Sequence, residues 1–478
     1  MTTLDEAPRE SRGAGADVSG QADAALPTAL PAEVRSWGPR NSHDPTAVRD
    51  DDGVYWLFST DANADGPLPG AGAQIRRSTD LVTWDFAGWA LDGVPAPARA
   101  WANAEGLWAP DVVRVVTPAG DEWRMYYSAS SFGSRTSAIG LAVAPHPAGP
   151  WSDRGIVVAT EHDRDGHNAI DAQLVIDGER HHLVYGSFFG GLHILGIDPA
   201  TGFALDAPAP GEPASAPGTL IARRPRSVDT AIEGPYVIPR PGGGWALIVS
   251  YDSLVSTYHV RVAVADAIEG PYLDPAGRDL ADLDADPEVT GLTVLASHRL
   301  EGAQGLLAPG HASVLTEPGR QILIHHTRFP DEPRQHEVQA RRLVWTAQGW
   351  PLVAPQPWAG DREVDDESTW PREVAELEGE WEIVDYASPT QSVAPSRRVE
   401  VTADAVAGLT AHGQGRFTRE GDEPVDAVVF PAWDGVRGVA TLSFAARAPH
   451  GFVVVGTKVI EADVSEAKVT EGAAARVE

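Results

Sequence analysis

The sequence predicts an all-β chain: a five-bladed β-propeller followed by a small C-terminal β-barrel or sandwich domain. Three observations carry that expectation. One plan of strand, turn and strand recurs five times between residues 44 and 327. The chain is punctuated by 48 Gly and 39 Pro. Long stretches of amphipathic helical period are scarce, which favours many short strands joined by tight turns. With 478 residues, 42% of them hydrophobic, and 15 Trp, the chain has material for more than one core.

Taken in order, residues 1–33 are rich in Ala, Gly and acidic residues and are expected to form a disordered leader. No basic start followed by an apolar run is present there, so the chain as given is expected in the cytoplasm, or outside the cell if a natural leader was removed. The propeller is expected over 34–358. Its five units open with "DPTAV" then "VYWLFST", "DVVRV" then "WRMYYSAS", "DAQLV" then "HHLVYGSF", "EGPYV" then "WALIVSY", and "HASVL" then "QILIHHT". The leading residues are Asp44, Asp111, Asp171, Glu233 and His311, at separations of 67, 60, 62 and 78 residues. Each unit continues into a further strand and a Gly- or Trp-containing turn. Units of this size with three or four strands suit a propeller, where radial repetition hides the sheet edges.

Residues 359–371, "AGDREVDDESTWP", read as a charged linker. Over 372–463 short strands return in "EGEWEIVDYA", "RRVEVTA", "GQGRFTRE", "VDAVVFPAW", "GVATLSFAAR" and "GFVVVGTKV". They predict a barrel-like domain of ordinary size. Residues 464–478 are expected to be a flexible tail.

The formal charge of −31 argues against nucleic acid or an anionic membrane as partner, because both would repel such a surface. A neutral ligand fits better, and the charge says nothing about oligomeric state. Zero Cys excludes disulfides, thiolate metal sites and a Cys nucleophile. No stretch is long enough to span a bilayer as a helix.

In a propeller the first strand of each blade lines the central channel. Asp44, Asp111, Asp171, Glu233 and His311 are therefore expected around one axial pit. Acids converging from several blades repel one another, so chemistry explains them better than stability does. Each has a structural alternative: "HDP" and "LWAPD" can start turns, and a lone His at a strand start often only satisfies its hydrogen bonds. Glu269, in a second "EGP", is taken as structural. His325, His326 and His336 are read as ordinary, since adjacent strand residues point to opposite faces. Trp84, Trp151 and Trp350 are assigned to blade packing, and "GGGW" at 242–245 to a hairpin turn.

The ordered set "HDPTAV", "LWAPDVV", "GHNAIDAQLV", "VYGSFFGGLHIL", "AIEGPYVI", "LAPGHASVL", "HHTRFP" with "HEV", and "GWPLVAP" resembles glycoside hydrolase family 43, and within it the two-domain endo-α-1,5-L-arabinanases. The resemblance spans about residues 40 to 356. It implies hydrolysis of arabinan or arabino-oligosaccharides with inversion, Asp44 as general base, Glu233 as general acid and Asp171 as the carboxylate that orients the acid and raises its pKa. It implies that His311 helps hold a calcium ion on the channel axis, mostly coordinated by water. "NAIDAQ" departs from the usual "NAIDP", which bears on the local turn. Physical logic stands beside this. Inversion needs an acid and a base about 6.5–9.5 Å apart with room for water, and a nearby negative charge keeps the acid protonated.

Sugar rings also want aromatic faces and polar partners. Trp108, Phe132 and Phe189 are candidates for the first, and His43, Asn168 and Ser187 for the second. Two rival functions share the fold: an exo-acting α-L-arabinofuranosidase or β-xylosidase, and a carbohydrate-binding propeller without turnover.

Overall fold

The computed structural model describes residues 30–117, 120–386, 393–421, 424–448 and 451–460. Most of the expected leader and the whole of the expected tail lie outside the described residues. The regular structure is nearly all strand, with one short α-helix at Ala96–Ala102. Five four-stranded antiparallel sheets succeed one another along the chain, each in simple sequential order from the axis outward. The innermost strands are Thr46–Arg49, Trp108–Thr117, Gln173–Asp177, Ile232–Pro239 and Leu307–Glu317. Each touches the next and the fifth touches the first, so the ring of five blades closes.

The strands form where β-branched and aromatic residues cluster, as in the fully buried "YWLFS" of Tyr55–Ser59. Apolar side chains from facing sheets then mesh into one core per blade boundary. Phe58 and Trp151 belong to the core between blades one and two, and Tyr126 and Leu183 to the next. Val184 and Val249 pack between blades three and four, and Leu57 with Ile324 closes five against one. Trp84, Trp151 and Trp350 are all buried in these cores, as expected. The "GGGW" turn carries three left-handed glycines in a hairpin between Pro239 and Trp245.

Among the described residues no strand is exchanged between the first and last blades. Closure instead uses the segment entering blade one: Val338 N–H donates to Pro39 O at 3.0 Å and Asn41 N–H to His336 O at 2.9 Å.

The C-terminal strands form one seven-stranded antiparallel sheet. Its ends are Arg397–Val401 and Thr410–Gly413. Six strands match the expected runs, and Thr410–Gly413 is additional. Val401 of one end strand and Leu409, just before the other, pack with Val406 on a core of Leu377, Trp381, Phe417 and Val429, so the sheet curls. Among the described residues no pairing joins the two ends, which makes it an open curl rather than a closed barrel. The opposite face, through Val384, Val428, Phe430 and Val455, shares a core with blades four and five. The charged stretch before it is strapped down. Arg342 reaches Glu363 at 2.8 Å and Asp365 at 3.0 Å, and Arg320 reaches Asp365 at 2.8 Å. Among the described residues no helix is long and apolar enough to cross a membrane.

Candidate active site

The innermost strands begin with a shared irregularity. Asp44, Ala109, Asp171, Gly234 and His311 all have φ between +38° and +60°. A left-handed residue other than Gly is strained and persists only where the surroundings enforce it. Here it turns the chain at the start of each strand, and the ladder slips between Trp108 and Asp111, between Glu233 and Tyr236, and around Gly310.

This ring corrects the sequence register at two positions. Ala109, not Asp111, is equivalent to Asp44, and Gly234 rather than Glu233 occupies the fourth place. Asp111 lies two residues further along, in a second ring with Thr46, Gln173, Tyr236 and Ser313. That ring stitches the blades together. The Thr46 hydroxyl reaches Asp111 at a long 3.5 Å, and Leu174 N–H donates to Asp111 at 2.8 Å. Val237 N–H donates to Gln173 at 2.6 Å, Tyr236 donates to Val314 O at 3.4 Å, and Ser313 donates to Pro45 O at 2.8 Å. Asp111 is thus an inter-blade staple under the pit. The sequence could not show this, because a bulge shifts register without altering composition.

Above the rings lies a cleft of about 400 Å³. Of the eleven site candidates named from sequence, the structure brings ten together in its wall, all but Asp111: His43, Asp44, Trp108, Phe132, Asn168, Asp171, Ser187, Phe189, Glu233 and His311. A smaller axial cavity of about 20 Å³ continues below, bordered by Asp44, Asp171 and His311.

Asp44 is held by three donors. His43 Nδ1 lies 2.8 Å and His311 Nδ1 3.0 Å from its Oδ1, and the Thr60 hydroxyl donates to Oδ2 at 2.6 Å. Thr60 is fixed as that donor because its oxygen already accepts the Ala109 N–H at 2.8 Å. A carboxylate offers about four lone-pair directions, so one is left for water. Burial alone would raise the Asp44 pKa, but the charges and hydrogen bonds of His311 and His43 outweigh it and hold the carboxyl well below its usual range. His311 responds in the opposite sense. Burial works against its charge, yet Asp44 and Asp171 beside it push it up to about 10.

Asp171 receives the Gly234 N–H at 3.3 Å, next to Glu233 in the chain. Burial, reinforced by the charges of Glu233 and Asp44 against the opposing pull of His311, pushes it up to about 8. Glu233 is clamped at both oxygens, by Ser187 at 2.9 Å and Tyr258 at 2.8 Å.

The remaining residues sit at the rim or wall. Phe132 is 89% exposed. Phe189 is held in a left-handed turn, with the Arg135 guanidinium 4.8 Å from its ring centre. The Asn168 carbonyl is already bonded by Ser137 at 2.7 Å, leaving its amide N–H groups for a ligand.

Sequence reasoning missed Thr60, Tyr258 and His326. Strand alternation does separate His325 from His326, but one of the two faces is the site. His325 accepts from Arg341 away from it, whereas His326 stacks on His43 at 3.7 Å and accepts the Asp44 N–H at 3.2 Å. His336 meets the same His43 ring edge-on at 5.0 Å. Donor atoms of His43, Asp44 and His326 lie within 4.8 Å of one another.

The chain is also similar to known proteins. The family model described as "Glycosyl hydrolases family 43" matches residues 38–351. The chain is 27% identical to an extracellular endo-α-(1→5)-L-arabinanase of Bacillus subtilis, over 91% of this chain and 96% of that one. It is 31% identical to an extracellular exo-α-(1→5)-L-arabinofuranosidase of Cellvibrio japonicus, over 65% and 86% of the two chains. Among solved structures it is similar to an endo-1,5-α-L-arabinanase of Thermotoga petrophila, with a TM-score of 0.72 and 26% identity over 88% and 99% of the two chains. It also matches a Cellvibrio cellulosa α-L-arabinanase complexed with arabinohexaose, with a TM-score of 0.53 and 29% identity over 66% and 95%.

Proposed function

The chain belongs to glycoside hydrolase family 43, and from that premise we propose that it cleaves α-1,5-linked L-arabinofuranosyl chains internally and with inversion. The observation that carries this reading is the unequal treatment of the carboxyls around one cleft. Asp44 is tied to cationic His311 and kept ionised, while Asp171 is driven the other way. A base held ionised, beside a pair of carboxyls in Asp171 and Glu233 that resist ionising together, is what this acid–base assignment needs.

In this reading Asp44, through its one free lone pair, takes a proton from the water that attacks the anomeric carbon. Glu233 gives its proton to the departing glycosidic oxygen as the C–O bond breaks. Asp171 and Glu233 share one pocket, so the pair resists a second ionisation, and burial together with the charges of Glu233 and Asp44 is what raises Asp171 to about 8. Trp108, Phe132 and Phe189 offer apolar faces to the furanose rings, and His43, Asn168 and Ser187 offer polar groups to its hydroxyls.

A calcium ion is compatible with the donors. His311 Nδ1 is taken by Asp44, so Nε2 is the ring nitrogen left to hold it, and the Asp44 and Asp171 carboxyls border the adjoining axial cavity. Binding there would displace the His311 proton and needs water for most of its shell. The ion would add positive charge to a pit of acids. Named relatives are extracellular, and export of this chain is part of the proposal.

The similarity to an exo-acting relative supports a second reading, in which sugars leave only from chain ends. A product time course on linear α-1,5-arabinan separates the two. Mixed oligosaccharides at early times are expected, and arabinose alone from the outset would overturn endo cleavage.

A further inference from the structure

The acid is gripped from behind the cleft. Tyr258 is 1% exposed, and its hydroxyl donates to Glu233 Oε1 at 2.8 Å. The other oxygen, Oε2, receives the Ser187 hydroxyl at 2.9 Å, and Ser187 lines the cleft whereas Tyr258 does not. The two carboxyl oxygens therefore face different surroundings. A buried hydroxyl without an acceptor is costly, and among the described residues Glu233 Oε1 is the acceptor that Tyr258 has. Burial and the charge of Glu233 push the phenol well above its ordinary value, so it remains a donor.

A carbonyl oxygen accepts a hydrogen bond better than the hydroxyl oxygen of a neutral carboxyl does. With Oε1 committed to accepting, the proton of neutral Glu233 is directed to Oε2, on the cleft side. There the Ser187 hydroxyl can rotate to receive it until a glycosidic oxygen takes its place.

Tyr258 has little freedom to move. A Cβ added to Gly310 would meet its ring at 2.2 Å, so the glycine exists to admit it. Its N–H is bound to Ser253 O at 2.8 Å. His326 stacks on it at 5.7 Å and 19°, and on His43 at 3.7 Å and 24°. Since His43, in the cleft wall, bonds Asp44, three rings run from the acid to the base, with Tyr258 and His326 behind the cleft.

We propose that Tyr258 is a positioning residue for the general acid, fixing the catalytic proton on Glu233 Oε2. The inference rests on the assignment of Glu233 as that acid. Tyr258→Phe keeps the ring and the stack and removes only the hydroxyl. Rates are compared on linear arabinan and on a 2,4-dinitrophenyl α-L-arabino-oligoside, whose phenolate departs without protonation. On arabinan kcat is expected to fall about 10- to 100-fold with KM within about twofold, while the dinitrophenyl substrate loses less than about threefold. Equal losses on both substrates, or no loss on arabinan, would overturn the role. Glu233→Gln distinguishes the two levels. If it spares arabinan, the acid assignment itself is wrong. If it discriminates between the substrates and Tyr258→Phe does not, only the role of Tyr258 falls.

Discussion

Asp111 carries no catalytic role here, yet its carboxyl makes a pH signature. Burial outweighs the Leu174 N–H and the Thr46 hydroxyl and raises it to about 7. An unfolded Asp titrates near 3.9, so the native state binds this proton more tightly. Stability from that source is complete below about pH 4 and is lost as pH rises through about 7, on the order of 1–4 kcal/mol in all. Asp111→Asn offers its carbonyl to Leu174 and its amide to the Thr46 oxygen without the charge. Denaturant melts at pH 5 and pH 8 are therefore expected to show a smaller drop for the variant than for the parent, and an unchanged drop would refute the assignment. The same residue marks where the sequence was legible. Acids inside β-prone runs are conspicuous, because burying one without a partner is expensive, and so Asp44, Asp171 and Glu233 stood out. Thr60, Tyr258 and His326 did not, since a hydroxyl beside a strand end or an imidazole within a strand is commonplace. Their bonds to Asp44 and Glu233 cross 16, 25 and 282 residues of chain.

Strands and blades were legible for a different reason: apolar runs of fixed spacing repeat even when their residues do not. What the repeat concealed was the bulge near the head of three of the five innermost strands, which moved Asp111 out of the first ring and Glu233 one place before it. Thr410–Gly413 was also hidden, because this edge strand is exposed and carries no apolar face. The clasp that closes the propeller was equally silent, although one buried side chain supports it. Arg76, on blade one, is wholly buried and donates to Gly38 O and Arg40 O, each at 2.8 Å. Burial lowers its pKa to about 9, which still leaves it charged at neutral pH. Arg76→Met keeps the apolar stem and strands both carbonyls. A loss of about 3 kcal/mol is expected, together with faster hydrogen exchange at Asn41 and Val338. If exchange at those two amides stayed as slow as in the parent, the clasp would owe nothing to Arg76.

At the scale of the whole molecule, a chain carrying −31 must hold its parts together against its own repulsion. The C-terminal sheet contributes to this as part of a shared core. Trp350, Leu352, Val353, Leu292 and Val294 of the last two blades meet Val384, Val428, Phe430 and Val455 of the sheet. Fully burying one such side chain is worth about 1.5–3 kcal/mol, so several together exceed the usual margin of a domain. Polar ties reinforce the join: Ser443 donates to Gln356 at 2.7 Å in a buried position, and Arg398 pairs with Glu301 at 2.8 Å. The two parts are therefore expected to unfold together, as one calorimetric transition of the full chain. A chain ended after Trp358 keeps every catalytic candidate but exposes that core face. It is expected to melt at least about 10 °C lower or to be recovered only as aggregate. Two well-separated transitions in the full chain, or a shortened chain that melts where the parent does, would show that the sheet is an appendage and not a buttress of the propeller.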